Sequence, residues 1–101
     1  MNIKITSRKF RAKESLKNEI KEELKTLEKY NDNILDANVV LSYQHLKDSM
    51  KTVEISLSIP GKIFKASETS EEYAKALPLV ISKLQRQLKT FKSKRIAKTR
   101  E

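Results

Sequence analysis

The sequence predicts an α+β fold, a two-layer sandwich with the element order β-α-β-β-β-α. Residues 35–43 and 52–59 alternate apolar and polar side chains, as half-buried strands do. Residues 13–30 and 73–91 place apolar side chains at helical spacing. Because the outward positions of the middle strands are polar, we expect a four-stranded mixed sheet with both helices packed on one face.

The first strand and the first helix are short and regular. Residues 2–6 read NIKIT, which puts Ile3 and Ile5 on one face of a strand. The helix over residues 13–30 carries one apolar stripe and ends at an Asn-rich turn, residues 31–33. The stripe consists of Leu16, Ile20, Leu24 and Leu27. A right-handed strand-helix-strand crossover pairs the first two strands in parallel.

The next three strands are joined by hairpins and are therefore antiparallel. Residues 35–43 point Leu35, Ala37, Val39, Leu41 and Tyr43 inward, and residues 52–59 do the same with Val53, Ile55, Leu57 and Ile59. Pro60-Gly61 predicts a type II turn, since proline fixes φ and glycine accepts a positive φ. Residues 62–68 follow as the fourth strand, with Phe64 and Ala66 inward.

The last helix begins, on the sequence, at a capping box formed by Thr69 and Glu72. Its apolar stripe is Tyr73, Leu77, Val80, Ile81, Leu84, Leu88 and Phe91. Pro78 lies inside this stripe, and an interior proline costs a helix ~3 kcal/mol. Two arrangements fit, a kink at Pro78 or a separate first turn with the long helix starting there. We favour the kink because the apolar stripe continues across the proline.

The charge of the chain is concentrated at one end. The formal net charge is +9 for 101 residues. Residues 73–100 contain nine Lys or Arg and no Asp or Glu, so this segment accounts for the net charge. A cationic amphipathic helix on a neutral domain indicates a polyanionic partner. We expect one domain over residues 1–93, followed by a basic tail, residues 94–101, whose order the sequence leaves open.

Several classes of protein are excluded or disfavoured. The chain has no cysteine, which excludes disulfides and thiolate chemistry. No apolar run approaches the ~18–20 residues of a membrane span, and the first 20 residues lack the apolar core of a secretory signal. His45, with Asp48 nearby, lies in a predicted hairpin loop, and no His, Asp and Glu share metal-ligand spacing. We therefore predict no catalytic residue, no metal, no cofactor and no small-molecule substrate.

Most candidate RNA-binding residues lie on the outward faces of the two helices, which we expect to share one surface. The full set is Arg8, Lys21, Lys25, Lys83, Arg86, Lys89, Lys92, Lys94 and Arg95. Arg8 lies in the connection before the first helix, and Lys94 and Arg95 lie in the basic tail. Cations along a polyanion release its counterions, and arginine can grip a phosphate with two hydrogen bonds. A merely solvated charged face is the alternative, and it fits the first helix better because acidic residues accompany its lysines. Four of the six aromatic residues fall on predicted inward stripes or beside a helix end, so we expect recognition of backbone and shape rather than stacking on bases.

The sequence also resembles a known family, the ribosome hibernation-promoting factors and related ribosome-associated inhibitors. The resemblance covers residues 1–95 and rests on NIKITSRKF, LKTLEKYNDNILDANVVLS, the IPG turn and KLQRQLK. It departs from the family pattern at Lys13, Ala74, Pro78 and Thr90. The length is similar to that of the short form, which lacks a C-terminal dimerisation domain.

What the resemblance implies is a bacterial, cytoplasmic, non-enzymatic inhibitor of translation that acts in stationary phase or stress. It implies binding to the ribosomal RNA of the small subunit, over the tRNA and mRNA sites, by a protein that is monomeric off the ribosome. On this chain the contacts would involve Arg8, Lys83, Arg86, Lys89 and Lys92, together with Lys21 and Lys25. Whether such a protein promotes ribosome pairing is not implied. A general double-stranded nucleic-acid binder and a basic protein-interaction module remain the alternatives.

Overall fold

A computed structural model of the chain describes residues 1–8, 10–43 and 50–99, and describes the side chains of the last helix as far as Phe91. The elements are β1 (Asn2–Ser7), α1 (Glu14–Thr26) with a 3-10 turn (Leu27–Lys29), β2 (Asp36–Tyr43), β3 (Lys51–Ile59), β4 (Lys62–Ser70) and α2 (Tyr73–Thr99). The predicted β-α-β-β-β-α order is confirmed.

The sheet has the order β1-β2-β3-β4. β1 and β2 are parallel, with Ile5 opposite Val39, and the other two pairs are antiparallel. This confirms the mixed sheet, because the only connection long enough for a crossover is the one through α1. β1 and β4 are the edge strands.

The core lies between the sheet and the two helices. Ile20 and Leu24 of α1 and Leu84 of α2 are fully buried, and so are Ile55 and Leu57 of β3. Burying each such side chain contributes about 1.5–3 kcal/mol. None of the described helices covers the other sheet face, in agreement with its mostly polar side chains, although Ile63 is 60% exposed there.

The turn between β3 and β4 is the one predicted. Ile59 pairs with Lys62, so Pro60 and Gly61 form the whole connection. Gly61 has φ +79°, the left-handed value that the third position of a type II turn requires.

Strand β2 begins differently from the prediction. Leu35 was expected inward but is 52% exposed, while Ile34 is only 5% exposed. The Asn31 side-chain oxygen accepts a hydrogen bond from the Asn33 N–H at 2.7 Å, and the turn that this bond closes delivers Ile34 to the core. Leu35 then faces solvent, while its N–H donates to the Ser58 carbonyl at 2.8 Å.

The predicted capping box of the last helix is wrong. Thr69 lies in β4, opposite Thr52 of β3, and their hydroxyl oxygens are 2.8 Å apart. The helix starts at Tyr73, and the Glu72 carbonyl accepts hydrogen bonds from the Lys75 and Ala76 N–H groups. The cross-strand ladder extends to the end of β4 and removes Thr69 from any capping role.

Helix α2 includes Pro78 within its span, so a long helix starting at Pro78 is also wrong. Proline lacks the N–H that would donate to the Ala74 carbonyl. Leu77 and Val80, on either side of Pro78, are fully buried against the sheet, and this packing stabilises the helix across the missing bond. The kink and the boundary between residues 93 and 94 stay predictions.

Candidate nucleic-acid interface

The cations of α2 point in three directions. Leu84 and Leu88 are buried beneath the helix, so Arg86, about 160° away from Leu84 at 100° per residue, faces solvent. Lys83 and Lys89 lie about 120° apart and flank Arg86 on opposite sides. Among the described residues, Arg86 is thus a free cation with an engaged cation on each side.

Lys83 lies against the edge strand β4. Its ammonium group is 2.5 Å from the Glu68 carboxylate and donates to the Ser67 carbonyl at 3.3 Å. One helical turn later, the Gln87 side chain donates to the Lys65 carbonyl at 3.0 Å. Both residues satisfy carbonyls on the free side of β4, where a neighbouring strand would otherwise bond.

Lys89 lies on the other flank, toward the end of the first helix. Its ammonium group is 5.3 Å from the centre of the Tyr30 ring, a cation–π contact. The Gln85 side-chain amide donates to the Tyr30 hydroxyl at 2.5 Å. Tyr30 is therefore fixed between two α2 residues and holds Lys89 beside the 3-10 turn.

Arg86 is exposed and forms no hydrogen bond or ion pair with any residue that the structure describes. A guanidinium with all its donors free suits a phosphate group, which accepts two of them at once. Of the three predicted α2 contacts whose side chains are described, Lys83, Arg86 and Lys89, only Arg86 has all its donors free.

The α1 lysines lie on a different flank from the one expected. Ser15, Leu16 and Glu19 line a groove together with Tyr73 and Ala74, so this flank of α1 faces α2.

Lys17 and Lys21 each stand two residues from Glu19 and project about 160° away from it. Lys17 is 3.7 Å from the Glu14 carboxylate, while Lys21 and Lys25 are exposed. The sequence predicted one joined cationic surface. In the structure Glu19 lines the groove beside the start of α2, and Lys21 projects away from that groove.

The remaining predicted contacts are dispersed or lie outside the described residues. The Arg8 N–H donates to the Leu41 carbonyl at 2.9 Å, at the end of the sheet where α2 begins. Arg86 lies 13 residues into α2, about 20 Å away along the helix axis. Helix α2 passes through positions 92, 94 and 95, but the side chains of Lys92, Lys94 and Arg95 are not among those described.

Aromatic side chains pack at the end of the sheet where the helices begin. Phe10 stacks on Tyr73 with ring centres 5.5 Å apart and meets Tyr43 edge-on at the same distance. The Tyr73 hydroxyl donates to the Ser42 carbonyl at 3.1 Å. Burial, and to a smaller extent the neighbouring Tyr43, raises the pKa of Tyr73 above its ordinary value of 10.0. These contacts agree with the predicted core role.

Nothing in the described part of the chain resembles a catalytic or metal centre. No charged or polar residue there is buried, and no group of three His, Cys, Asp or Glu residues could hold a metal ion. His45 and Asp48 lie outside the described residues. None of the helices, as far as they are described, has the length and apolar character needed to cross a membrane.

Comparison with known protein families shows to which family this chain belongs. A family model described as "Sigma 54 modulation protein / S30EA ribosomal protein" matches residues 3–96. The chain belongs to this family. The likeness extends over the whole sandwich and through α2 as far as the predicted basic contacts.

Individual relatives agree with the family. The chain is 28% identical over 99 residues to the ribosome hibernation promotion factor of Deinococcus radiodurans, and 27% identical over 101 residues to that of Bacillus subtilis. These matches cover 96% and 100% of this chain, but the chain spans only about half of those relatives, 52% and 53%. It is 27% identical to the ribosome hibernation promoting factor of Azotobacter vinelandii, covering 95% of this chain and 87% of that protein.

Solved structures confirm the fold. The N-terminal domain of Thermus thermophilus Protein Y superposes with a TM-score of 0.80 at 27% identity, over 90% of this chain and 99% of that one. A ribosomal subunit interface protein from Coxiella burnetii gives a TM-score of 0.84 at 22% identity, over 92% and 99%, a likeness of fold alone.

Proposed function

We propose that this protein is a ribosome hibernation factor. It binds the small ribosomal subunit through ribosomal RNA, covers the tRNA and mRNA sites, and inhibits translation in idle or stressed bacterial cells. It works in the cytoplasm, without catalysis or a cofactor, and is monomeric off the ribosome.

This proposal rests on one observation. The solvent side of α2 is basic, in a chain that belongs to this family. The helix is rigidly held by its buried leucines and displays Arg86 and Lys89 in a segment, residues 73–100, that contains no acidic residue. Fixed cations beside a neutral domain bind a phosphate backbone and release its counterions. The names of the relatives in Deinococcus and Bacillus supply the biological setting.

The mode of inhibition is steric. A domain of this size, seated in the channel where mRNA and tRNA pass, excludes both ligands without chemistry of its own. Arg86 and Lys89 bind phosphates first. Arg8, Lys21, Lys25 and Lys83, with Lys92, Lys94 and Arg95, form the wider contact surface.

Charge reversal at α2 tests the proposal directly. The double variant Arg86→Glu/Lys89→Glu should lose co-sedimentation with purified Bacillus subtilis small subunits, because two attractive phosphate contacts become repulsive. The matched control is Lys4→Glu/Lys65→Glu, which makes an identical change of net charge on the open face of the sheet. The control should still sediment with the subunits. If both variants bind as well as the wild type, α2 is not the binding surface.

A second function, general binding to double-stranded nucleic acid, is favoured by one feature. The open face of the sheet presents Asn38, Ser56 and Lys65 and lacks the exposed aromatic residues on which unstacked bases would lie. Equal affinity for a naked RNA duplex and for small subunits would favour this function. Weak binding to both at low salt would favour docking on an acidic protein.

A further inference from the structure

The ion pair between Lys83 and Glu68 links the proposed RNA-binding helix to the edge of the sheet. We propose that Glu68 sets the affinity for RNA by competing with phosphate groups for Lys83. This inference rests on the proposed function and identifies a residue that limits binding at the same surface.

The geometry makes Lys83 a shared cation. Its ammonium group contacts the Glu68 carboxylate and the Ser67 carbonyl, both on β4. The Lys83 side chain is still 49% exposed, so a phosphate can reach the same ammonium group. A phosphate that recruits Lys83 must replace the Glu68 carboxylate as its anionic partner.

The position of Glu68 makes the competition specific. Its side chain is 28% exposed and comes from a strand paired with Val53 of β3, so the carboxylate does not move with the helix. Gln87 anchors the next turn of α2 to Lys65 of the same strand. This hydrogen bond between neutral groups still joins helix and strand when Glu68 is neutralised.

The predicted change is a gain of binding. An exposed ion pair is weak, so Glu68→Gln should tighten binding to small subunits by up to about fivefold, equivalent to about 1 kcal/mol. Lys83→Gln should weaken binding, and the loss should be larger in the Glu68→Gln background than in the wild type, since a freed Lys83 binds phosphate without competition.

Glu54 supplies the matched control. It is exposed on β3 opposite Ser67 and lines the same shallow groove as Lys83, but it forms no ion pair with a described residue. Glu54→Gln removes the same charge from the same neighbourhood. It should therefore change the affinity for small subunits less than Glu68→Gln does, because it acts only through the overall electrostatic field of the protein.

The experiment measures the dissociation constant for Bacillus subtilis small subunits with wild type, Glu68→Gln, Lys83→Gln, the double variant and Glu54→Gln. Glu68→Thr, which suits a strand, serves as a second neutral variant should Gln disturb β4. Circular dichroism checks that each variant is folded.

A gain at Glu68 that exceeds the gain at Glu54 and disappears with Lys83→Gln supports the inference. Equal gains at both carboxylates, no gain, or a gain that survives without Lys83 overturns it. If the wild type itself fails to bind small subunits, the proposed function falls and this inference falls with it. If the wild type binds and Glu68 has no effect, only the inference is lost.

Discussion

Tyr73 joins the end of the sheet to the start of α2 with both its ring and its hydroxyl. The ring stacks on Phe10 and the hydroxyl donates to the carbonyl of Ser42 on β2. The helix starts here without a capping side chain from Thr69, so this tyrosine supplies part of the attachment that a cap would provide. Tyr30 and Lys89 form a similar link further along the helix, again between a ring and an α2 side chain.

The raised pKa of Tyr73 gives a test at alkaline pH. The unfolded chain ionises this hydroxyl near pH 10.0, whereas the folded chain does so at a higher pH. The stability from this group is therefore complete below the unfolded pKa and is lost as the pH rises from there through the folded pKa.

Tyr73→Phe should lower the free energy of unfolding by about 1 kcal/mol at about pH 8, where a hydrogen bond is lost. The difference from wild type should shrink by about pH 11, because Phe cannot ionise. Thermal melting of both proteins between these two pH values measures the difference in stability. The lysines titrate in both proteins alike, so their contribution cancels in the comparison. Parallel pH curves would contradict the role given to Tyr73.

Helix α2 is the element in which local preference and packing disagree. Pro78 is exposed and is the sixth residue of the helix, where it deprives the Ala74 carbonyl of a donor. The buried residues around it keep the helix continuous. The same helix covers the core, forms hydrogen bonds with the edge strand β4 and exposes the free guanidinium of Arg86.

Replacing Pro78 should stabilise the protein. Pro78→Ala restores the missing N–H and removes a cost of ~3 kcal/mol, part of which is offset by the greater freedom of the unfolded chain. We expect the free energy of unfolding to rise by about 1–2 kcal/mol in urea titrations. Ser82→Ala, at another exposed position of α2, should change it by less than about 0.5 kcal/mol. A destabilised Pro78→Ala variant would show that the ring itself is needed for packing.

At the scale of the whole molecule, charge is distributed by surface. The open sheet face carries polar side chains of both charges, such as Lys4, Lys65 and Glu54. Helix α1 turns Glu19 toward α2, and the described solvent side of α2 is basic. Residues 73–100 hold nine basic and no acidic residues, so the net charge of +9 comes from this C-terminal segment. We expect such an arrangement to steer a polyanion to α2 and to make the association depend strongly on salt.

The salt dependence of binding measures how many phosphates the molecule contacts. Plotted as log affinity against log salt, binding to small subunits should fall linearly, and Arg86→Gln should reduce the slope by about 1. Lys4→Gln, on the open sheet face, should leave the slope unchanged. A slope unaffected by Arg86→Gln would mean that its guanidinium meets no phosphate.

Most of the fold could be predicted from the sequence because the decisive patterns are local. Alternation in β3, the helical stripe through Ile20 and Leu24, and the Pro60-Gly61 turn each determine the backbone over a few residues. Their order then leaves few ways to form one covered sheet. The errors fell at element ends, at Leu35 and Thr69, where a turn or the pairing of neighbouring strands overrules the local pattern.

By itself the sequence determined the fold class, the family resemblance and the placement of the charge on the last helix. Only the tertiary structure decided which of those charges are free. Lys83 is held by Glu68, Lys89 by Tyr30, and Lys21 lies beyond the acidic flank of α1, while Arg86 has no described partner. The physical reason is that an ion pair or a cation–π contact depends on residues 15 to 59 positions apart in the chain, and folding alone brings them together.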